Sequence, residues 1–310
     1  MLLLVGDTYQ IDAIQFGNWF SVLKSFLSES AVFELAQPHR TKDKHLLELW
    51  DKVRHMEDTA KEVIERESYS LKVDETLLSS LEPGEAILCL NYDGLYGINN
   101  INRFLQESNH NPAVTWDIQQ YKVDDPILFL DSDRFRPVIH NNMKGIIKGV
   151  EILDAGTPEE RIQFDVEIPK EIDDSDIDSC DLQLLEYDKP NSSLVRFYIH
   201  ILKSADEEDD DSRTVVPFQI AYAVSIHKAQ GLEYDSVKIV ITDEVEELVT
   251  HNIFYNAITR AREKLKIYWT PEVEEKVINR IKPRDISKDA ELLKNYLTDK
   301  QQNDSLDFLL

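Results

Sequence analysis

The 310-residue chain is poor in several features, and each shortage excludes a class of protein. Its two cysteines, Cys89 and Cys180, call for neither a disulfide framework nor a zinc site, so a reducing cytoplasm is the expected compartment. No run of 18 apolar residues is present, so we expect neither a membrane-spanning helix nor a membrane partner. The apolar start Met1–Val5 is too short for a signal peptide and lacks a basic flank. Hydrophobic residues still make up 42% of the chain, enough for a folded core.

Basic residues are also scarce, with 34 Lys and Arg against 59 Asp and Glu and a net charge of -25. A nucleic-acid binder usually presents a basic face, because lysine and arginine replace the counterions of phosphates. Much of the acidic excess lies in three short runs, Asp173–Asp176, Asp206–Asp211 and Glu272–Glu275. Such runs are typical of solvated loops and helix faces. A narrow basic groove is compatible with this balance, but we expect the chain alone to hold nucleic acid poorly.

The chain length suggests about two domains, and two kinds of pattern alternate along it. The apolar run Ala86–Leu90 predicts a buried strand and Asn99–Gln106 a helix, which is typical of an α/β fold. Between about 121 and 216, short strand-like runs separated by Gly, Pro, Asn and Asp predict a small antiparallel barrel or sandwich. The α/β pattern resumes at Phe218, so this β region is an insertion.

Further elements flank these regions. Apolar spacing predicts helices near Phe16–Leu27, Lys44–Met56, His251–Arg262 and Asp289–Leu297. It predicts strands at Leu2–Val5, Phe218–Ile226, Val237–Thr242 and Lys264–Trp269. The first of these is expected to be a buried strand.

Three short blocks contain side chains suited to binding phosphates or nucleic acid. In the first, the predicted strand Leu2–Val5 leads into Gly6-Asp7-Thr8-Tyr9-Gln10. Ligands of α/β sheets bind at the carboxyl ends of the strands, where Asp7 and Gln10 would lie. A Gly-Asp pair after a strand is more often only a turn.

The second block, His227 to Asp235 (His-Lys-Ala-Gln-Gly-Leu-Glu-Tyr-Asp), also follows a predicted strand. Gly231 would let the backbone approach a ligand closely, and Lys228 and Glu233 could reach a phosphate or a sugar. A solvated loop with helix-capping charges is an equally good interpretation of this block by itself.

The third block is Tyr255 to Arg262 (Tyr-Asn-Ala-Ile-Thr-Arg-Ala-Arg), with two arginines near the end of the predicted helix. A guanidinium offers a planar set of donors that matches phosphate oxygens and keeps its charge. Surface arginines that are favoured by the helix dipole would give the same pattern.

In this order, the three blocks resemble motifs III, V and VI of superfamily 1 helicases of the RecD/UvrD type, and Pro38-His39-Arg40 resembles motif IV. The turn at Asp93–Asn102 and the stretch Asp125–Gly149 resemble RecD-like proteins, in which an SH3-like domain is inserted. UvrD-like proteins have a helical insertion there, which the short strands do not fit. The likeness covers roughly residues 1–270, and several blocks in order are more specific than one.

The resemblance implies a domain plan and a role for individual residues. Residues 1–30 would be a strand–helix remnant of a first RecA-like domain, 31–120 and 217–270 the second RecA-like motor domain, 121–216 the SH3-like insert, and 271–310 an acidic tail. Arg260 would be the arginine finger, Arg40 a second γ-phosphate arginine and Gln10 a phosphate sensor. Glu233, Gly231 and Asp7 would contact the nucleotide. Tyr9 would contact nucleic acid, and three further residues would face either nucleic acid or the hinge between the domains: His227, Lys228 and Thr259.

The chain departs from the family pattern because it lacks the phosphate-binding motifs of these helicases. None of the nine glycines belongs to a Gly-x-x-x-x-Gly-Lys-Ser/Thr phosphate-binding loop, and no acidic magnesium motif precedes Gly6. The resemblance therefore implies a full-length ATP- and Mg²⁺-dependent DNA helicase or translocase of the 5′→3′ type that acts on single-stranded or forked DNA. This chain would be its second half, inactive by itself, with an N-terminal RecA-like domain as the missing partner. The alternative is a non-enzymatic interaction module or a degenerate helicase fragment.

Overall fold

The computed structural model describes residues 3–11, 19–24, 26–35, 37–79, 81–178, 180–201, 213–282 and 286–296. Helices α1 to α7 are Trp19–Lys24, Lys44–Arg54, Ala60–Arg66, Ile98–Ser108, Asp174–Ile177, His251–Ile258 and Pro271–Asn279. A further helix, α8, covers 287–296. Strands β1 to β7 are Ser70–Leu71, Glu85–Cys89, Ala113–Trp116, Gln119–Lys122, Pro126–Phe129, Lys144–Leu153 and Arg161–Ile168. Strands β8 to β13 are Gln183–Leu185, Ser193–His200, Phe218–Ile220, Ala223–Ser225, Tyr234–Val240 and Ala261–Tyr268.

The chain divides into two units, of which the first comprises Met1–Lys72 and Glu233–Leu310. In this unit β13 pairs in parallel with both β1 and β12. Helix α2 begins at the N-cap Asp43, whose carboxylate accepts hydrogen bonds from the backbone N–H of His45 and Leu46. Trp50 of α2 donates from Nε1 to the carbonyl oxygen of Ile258 at the end of α6, 3.2 Å away. This bond fixes the end of α6, where the third sequence block lies.

The second unit is Val73–Leu232, and one part of it is α/β. Strands β2 and β11 pair in parallel. The side chain of Asn102 on α4 both donates to the carbonyl of Ala223 and accepts from its N–H, at 3.0 and 2.7 Å. Helix α4 is thereby attached to β11. Parallel strands with attached helices confirm the predicted α/β class.

The rest of the second unit is a six-stranded antiparallel sheet of order β10-β5-β6-β7-β9-β8. Its core combines aliphatic and aromatic side chains, with edge-on ring contacts such as Phe164 to Phe218 at 5.0 Å between centroids. The antiparallel β region expected between 121 and 216 is therefore present. The SH3-like assignment and the exact domain boundaries stay predictions.

Three expectations differ from the structure. The strand predicted at Leu2–Val5 is wrong over Leu3–Val5, where the backbone has no regular structure and Val5 is 84% exposed. An apolar strand requires neighbouring strands, and none of the described residues pairs with these three. The strand predicted at Phe218–Ile226 is two short strands, β10 and β11, which pair with β5 and β2.

The predicted helix His251–Arg262 ends early, at Ile258. Arg260 lies in the turn that follows, and Arg262 belongs to β13, because Ala261 already pairs with Tyr234 of β12. The helix predicted near Asp289 is confirmed as α8. Phe16 and the acidic run Asp206–Asp211 lie outside the described residues. Within the described ranges, no helix is long and apolar enough to cross a membrane.

Candidate functional site

Arg260 is a buried arginine at the turn between α6 and β13. Its side chain is only 1% exposed. Nε donates to the carbonyl oxygen of Asn256 at 2.9 Å, and Nη2 donates to Oγ1 of Thr259 at 3.2 Å. Burial and the nearby positive charge of Arg40 lower the pKa of Arg260 to about 10. The guanidinium stays protonated at neutral pH, but in surroundings that favour a counter-anion.

Arg40 and Arg262 lie beside the same turn and share one carboxylate. Arg40 donates from Nη1 to the carbonyl oxygen of Thr259 at 2.5 Å, and its Nε lies 3.3 Å from Oε2 of Glu233. Arg262 places Nη1 3.4 Å from Oε1 of Glu233, and its Nε lies 3.5 Å from Oδ1 of Asp235. We call Arg40, Arg260 and Arg262 the arginine cluster.

The local sequence explains this geometry. Glu233 immediately precedes β12, and Arg262 is the second residue of the adjacent parallel strand β13. Thr41, next to Arg40, donates to the carbonyl oxygen of Arg262 at 2.5 Å and attaches the start of the α2 region to β13. The structure thus brings together four of the predicted site residues, Arg40, Glu233, Thr259 and Arg260. Arg262, the second arginine of the third block, was not given a role from the sequence, although its position two residues after Arg260 was the available signal.

The arginine cluster fits an anion better than a metal ion. Arg40 and Arg262 share the carboxylate of Glu233, and burial together with the positive charge of Arg40 lowers the pKa of Arg260. Phosphate oxygens match the planar donors of guanidinium. No group of three or more His, Cys, Asp or Glu side chains suited to a metal is found among the described residues. The cluster is therefore suited to an anion that offers several oxygens.

The first sequence block forms a turn against α6 within the same unit. Asp7 accepts from the backbone N–H of Tyr9 at 3.0 Å and from Nε2 of Gln10 at 3.3 Å. The carbonyl oxygen of Gln10 accepts from Nδ2 of Asn252 on α6 at 2.7 Å. Asp7 and Gln10 therefore contact each other, and the side chain of Asp7 organises the turn.

The Tyr9 ring lies among side chains that the sequence did not indicate. It meets the rings of His251 and Tyr255 edge-on, with centroids 6.1 and 6.2 Å away. The guanidinium carbon of Arg54 lies 4.9 Å from its centroid. Arg54 comes from α2 and the two rings from one face of α6, so only the tertiary fold unites them. Burial raises the pKa of Tyr255.

The loop His227–Leu232 belongs to the second unit and is described by itself. The backbone N–H of Lys228 donates to Oγ of Ser225 at 3.1 Å, and its Nζ donates to Oε1 of Gln219 at 2.9 Å. His227 is exposed. Gly231 has a φ of +84°, a left-handed conformation that favours glycine, so one role of this glycine is to permit the turn.

Comparisons with known proteins find similarities over parts of the chain. Residues 220–268 match the family described as UvrD-like helicase C-terminal domain. The RecBCD enzyme subunit RecD of Buchnera aphidicola subsp. Acyrthosiphon pisum is 20% identical over 183 residues, which are 58% of this chain and 23% of RecD. Protein MJ1519 of Methanocaldococcus jannaschii is 31% identical over 75 residues, 24% of this chain and 6% of that protein.

A solved structure gives the fold. The Pif1 helicase from Bacteroides, crystallised with ADP-AlF3 and single-stranded DNA, matches with a TM-score of 0.50 and 15% identity, over 94% of this chain and 66% of that chain. The parallel sheet with its helices thus matches the RecA-like fold of that helicase. This chain spans less than two thirds of the length of each of these three proteins.

Proposed function

We propose that this chain, which carries the C-terminal region of a superfamily 1 helicase, supplies the arginine-bearing side of the ATP site in a DNA helicase or translocase. The observation that carries the proposal is the buried guanidinium of Arg260 beside that of Arg40. Guanidiniums that are held close together repel each other, and an anionic ligand would relieve that repulsion.

Each residue of the cluster would have a defined part. ATP with Mg²⁺, when bound, supplies the γ-phosphoryl group that is transferred in line to water. Arg260, excluded from water and held by Asn256 and Thr259, would stabilise the negative charge that develops on that group. Arg40, fixed by the carbonyl of Thr259, would add a second positive charge. Gln10 would report on the phosphate and Asp7 would contact the nucleotide, as the family resemblance implies.

DNA is the proposed substrate, since the Pif1 structure that matches this fold was crystallised with single-stranded DNA. Tyr9 would stack on a base, and His227, Lys228 and Thr259 would contact the strand or support the residues that do. The net charge of -25 implies that this chain contributes few phosphate contacts of its own. Most of the positive surface would then belong to the partner domain.

The proposal also requires a phosphate-binding loop from outside residues 1–310, because these residues contain none. A RecA-like domain with that loop and a magnesium-binding carboxylate would complete the site, either from the same reading frame or from a neighbouring gene. We expect the chain alone not to hydrolyse ATP.

The test is ATP turnover by the purified chain, alone and together with the segment that carries the loop. We expect turnover only for the combination, and a loss of about 10³-fold or more when Arg260→Gln is introduced. Arg66→Gln is the matched control, because Arg66 is a half-exposed arginine of α3 that pairs with Glu48 and Glu67. Turnover by the chain alone, or turnover insensitive to Arg260→Gln and Arg40→Gln, would contradict the proposal and favour an interaction module.

A further inference from the structure

Glu233 connects two arginines of the cluster through a weak bridge. Its two carboxylate oxygens lie 3.3 Å from Nε of Arg40 and 3.4 Å from Nη1 of Arg262. The side chains of Arg40, Glu233 and Arg262 are 28%, 45% and 46% exposed. An ion pair with this exposure shifts an equilibrium by about fivefold at most. A stronger anion can therefore replace the Glu233 carboxylate.

The arginines do not depend on Glu233 for their positions. Arg40 is also held by the carbonyl of Thr259, and Arg260 by the carbonyl of Asn256. Arg262 has a second contact, to Asp235. If Glu233 moved away, these contacts would remain and the net positive charge of the cluster would increase.

We propose that Glu233 is an internal counter-ion that closes the arginine cluster until a polyphosphate displaces it. The inference rests on the proposed function, since it concerns the same cluster. A carboxylate has one negative charge and two acceptor oxygens, so chloride or a single phosphate gains little by replacing it. A chain of two or three phosphates has more charge and more oxygens, and it can engage Arg40 and Arg262 together.

This arrangement makes Glu233 a specificity-determining residue. It selects for ligands with several adjacent phosphate groups, such as a nucleoside triphosphate or inorganic triphosphate. Once it is released from Arg40, the same carboxylate can turn to the sugar of a nucleotide, the role that the family resemblance implies.

The experiment measures the affinity of the purified 310-residue chain for inorganic triphosphate by titration calorimetry at low ionic strength, where exposed charges are least screened. Inorganic triphosphate has no sugar, so a contact between Glu233 and a ribose cannot affect the result. We expect Glu233→Gln to bind about fivefold more tightly than the wild type, the effect of removing one nearby negative charge in a high dielectric. Glu233→Ala should behave in the same way.

The control is Glu275→Gln, which makes the same charge change at an exposed position of α7 with no contact to the cluster. We expect its affinity to equal that of the wild type. Equal affinities for the wild type and both Glu233 variants, weaker binding by those variants, or no binding by any of them would overturn the counter-ion role. The proposed function has a separate criterion, since Arg40→Gln and Arg260→Gln must weaken triphosphate binding whatever Glu233 does.

Discussion

The guanidinium of Arg54 lies over the ring of Tyr9, 4.9 Å from its centroid. The two residues are 45 positions apart in the sequence, and α2 and the turn before α1 bring them together. Arg54 also forms an ion pair with Glu34. Since His251 and Tyr255 meet the same ring edge-on, Tyr9 is held in one orientation before any ligand arrives.

The first prediction concerns this ring as a stacking surface. Tyr9→Ala should lower the affinity for a single-stranded oligonucleotide by about 5- to 150-fold, the usual contribution of stacking on one base. Tyr9→Phe keeps the ring and its contacts and should bind as the wild type does. Fluorescence anisotropy at low salt, with the loop-bearing partner present, measures both variants. Unchanged affinity for Tyr9→Ala would show that this ring does not stack on a base.

The sequence predicted the helices and strands better than it predicted which side chains come into contact. Helix α2 could be foreseen because Leu46, Trp50 and Val53 follow a helical period, and all three are buried. The position of Arg260 in a turn could not be foreseen. The apolar spacing that begins at His251 continues through that turn into β13, so it predicts a helix as far as Arg262. Periodicity records which side chains are buried, but it does not record where hydrogen bonding changes from helix to strand.

In the candidate site, too, some residues could be foreseen from the sequence and others could not. The motif blocks indicated Arg40, Glu233, Thr259 and Arg260 in advance, and the fold places them together. Arg54 and His251 are typical helix residues in the sequence, and only tertiary packing places them against Tyr9. The exposure of Leu3–Val5 was not foreseeable either, since a strand is buried only when neighbouring strands exist.

The second prediction separates function from stability at Arg260. Arg260→Met replaces a buried cation, repelled by Arg40, with an apolar side chain of similar length. We expect the free energy of unfolding to change by less than about 1 kcal/mol or to rise, because such replacements of buried charge are often neutral or stabilising. Trp50→Ala is the comparison. Trp50 is 6% exposed, so removing its side chain should lower the free energy of unfolding by about 3–5 kcal/mol. Urea unfolding measures the free energy of unfolding of both variants. If Arg260→Met lost as much of it as Trp50→Ala, Arg260 would be needed for the stability of the core, which would contradict the prediction.

The third prediction is a pH dependence at Glu167, whose side chain is 7% exposed. Burial raises its pKa, but hydrogen bonds from Lys189 and from the hydroxyl of Tyr187, 2.6 Å away, outweigh burial and lower the pKa overall. A carboxyl with a lowered pKa in the folded state contributes stability above its unfolded pKa. That contribution is lost as the pH falls through the folded pKa.

The wild type should therefore exceed Glu167→Gln in unfolding free energy at pH 7, and the difference should shrink towards pH 3. Urea unfolding at several pH values measures it. Glu151→Gln, at an exposed position of the neighbouring strand β6, is the control and should show no such trend. A constant difference between the wild type and Glu167→Gln across this range would contradict the assignment.

The last prediction concerns Asp125, a fully buried carboxylate at the start of β5. It accepts from Gln106 at 2.6 Å, Asn109 at 2.9 Å and the hydroxyl of Tyr222 at 2.7 Å. Gln106 belongs to α4 and Asn109 caps its end, while Tyr222 connects β10 to β11. One side chain therefore joins α4 to the segment before β5 and to the connection between β10 and β11.

Asp125→Asn would place an amide N–H where these donors now point, and it would remove the charge that strengthens each bond. We expect the free energy of unfolding to fall by about 2–3 kcal/mol, since buried donors lose their acceptor. Asp124→Asn makes the same change one residue earlier, at an exposed carboxylate that pairs with Lys148, and should cost less than about 1 kcal/mol. Urea unfolding of the two variants measures both losses of free energy under the same conditions. Equal losses would mean that Asp125 does not join these elements, and then Tyr222→Phe should also leave stability unchanged.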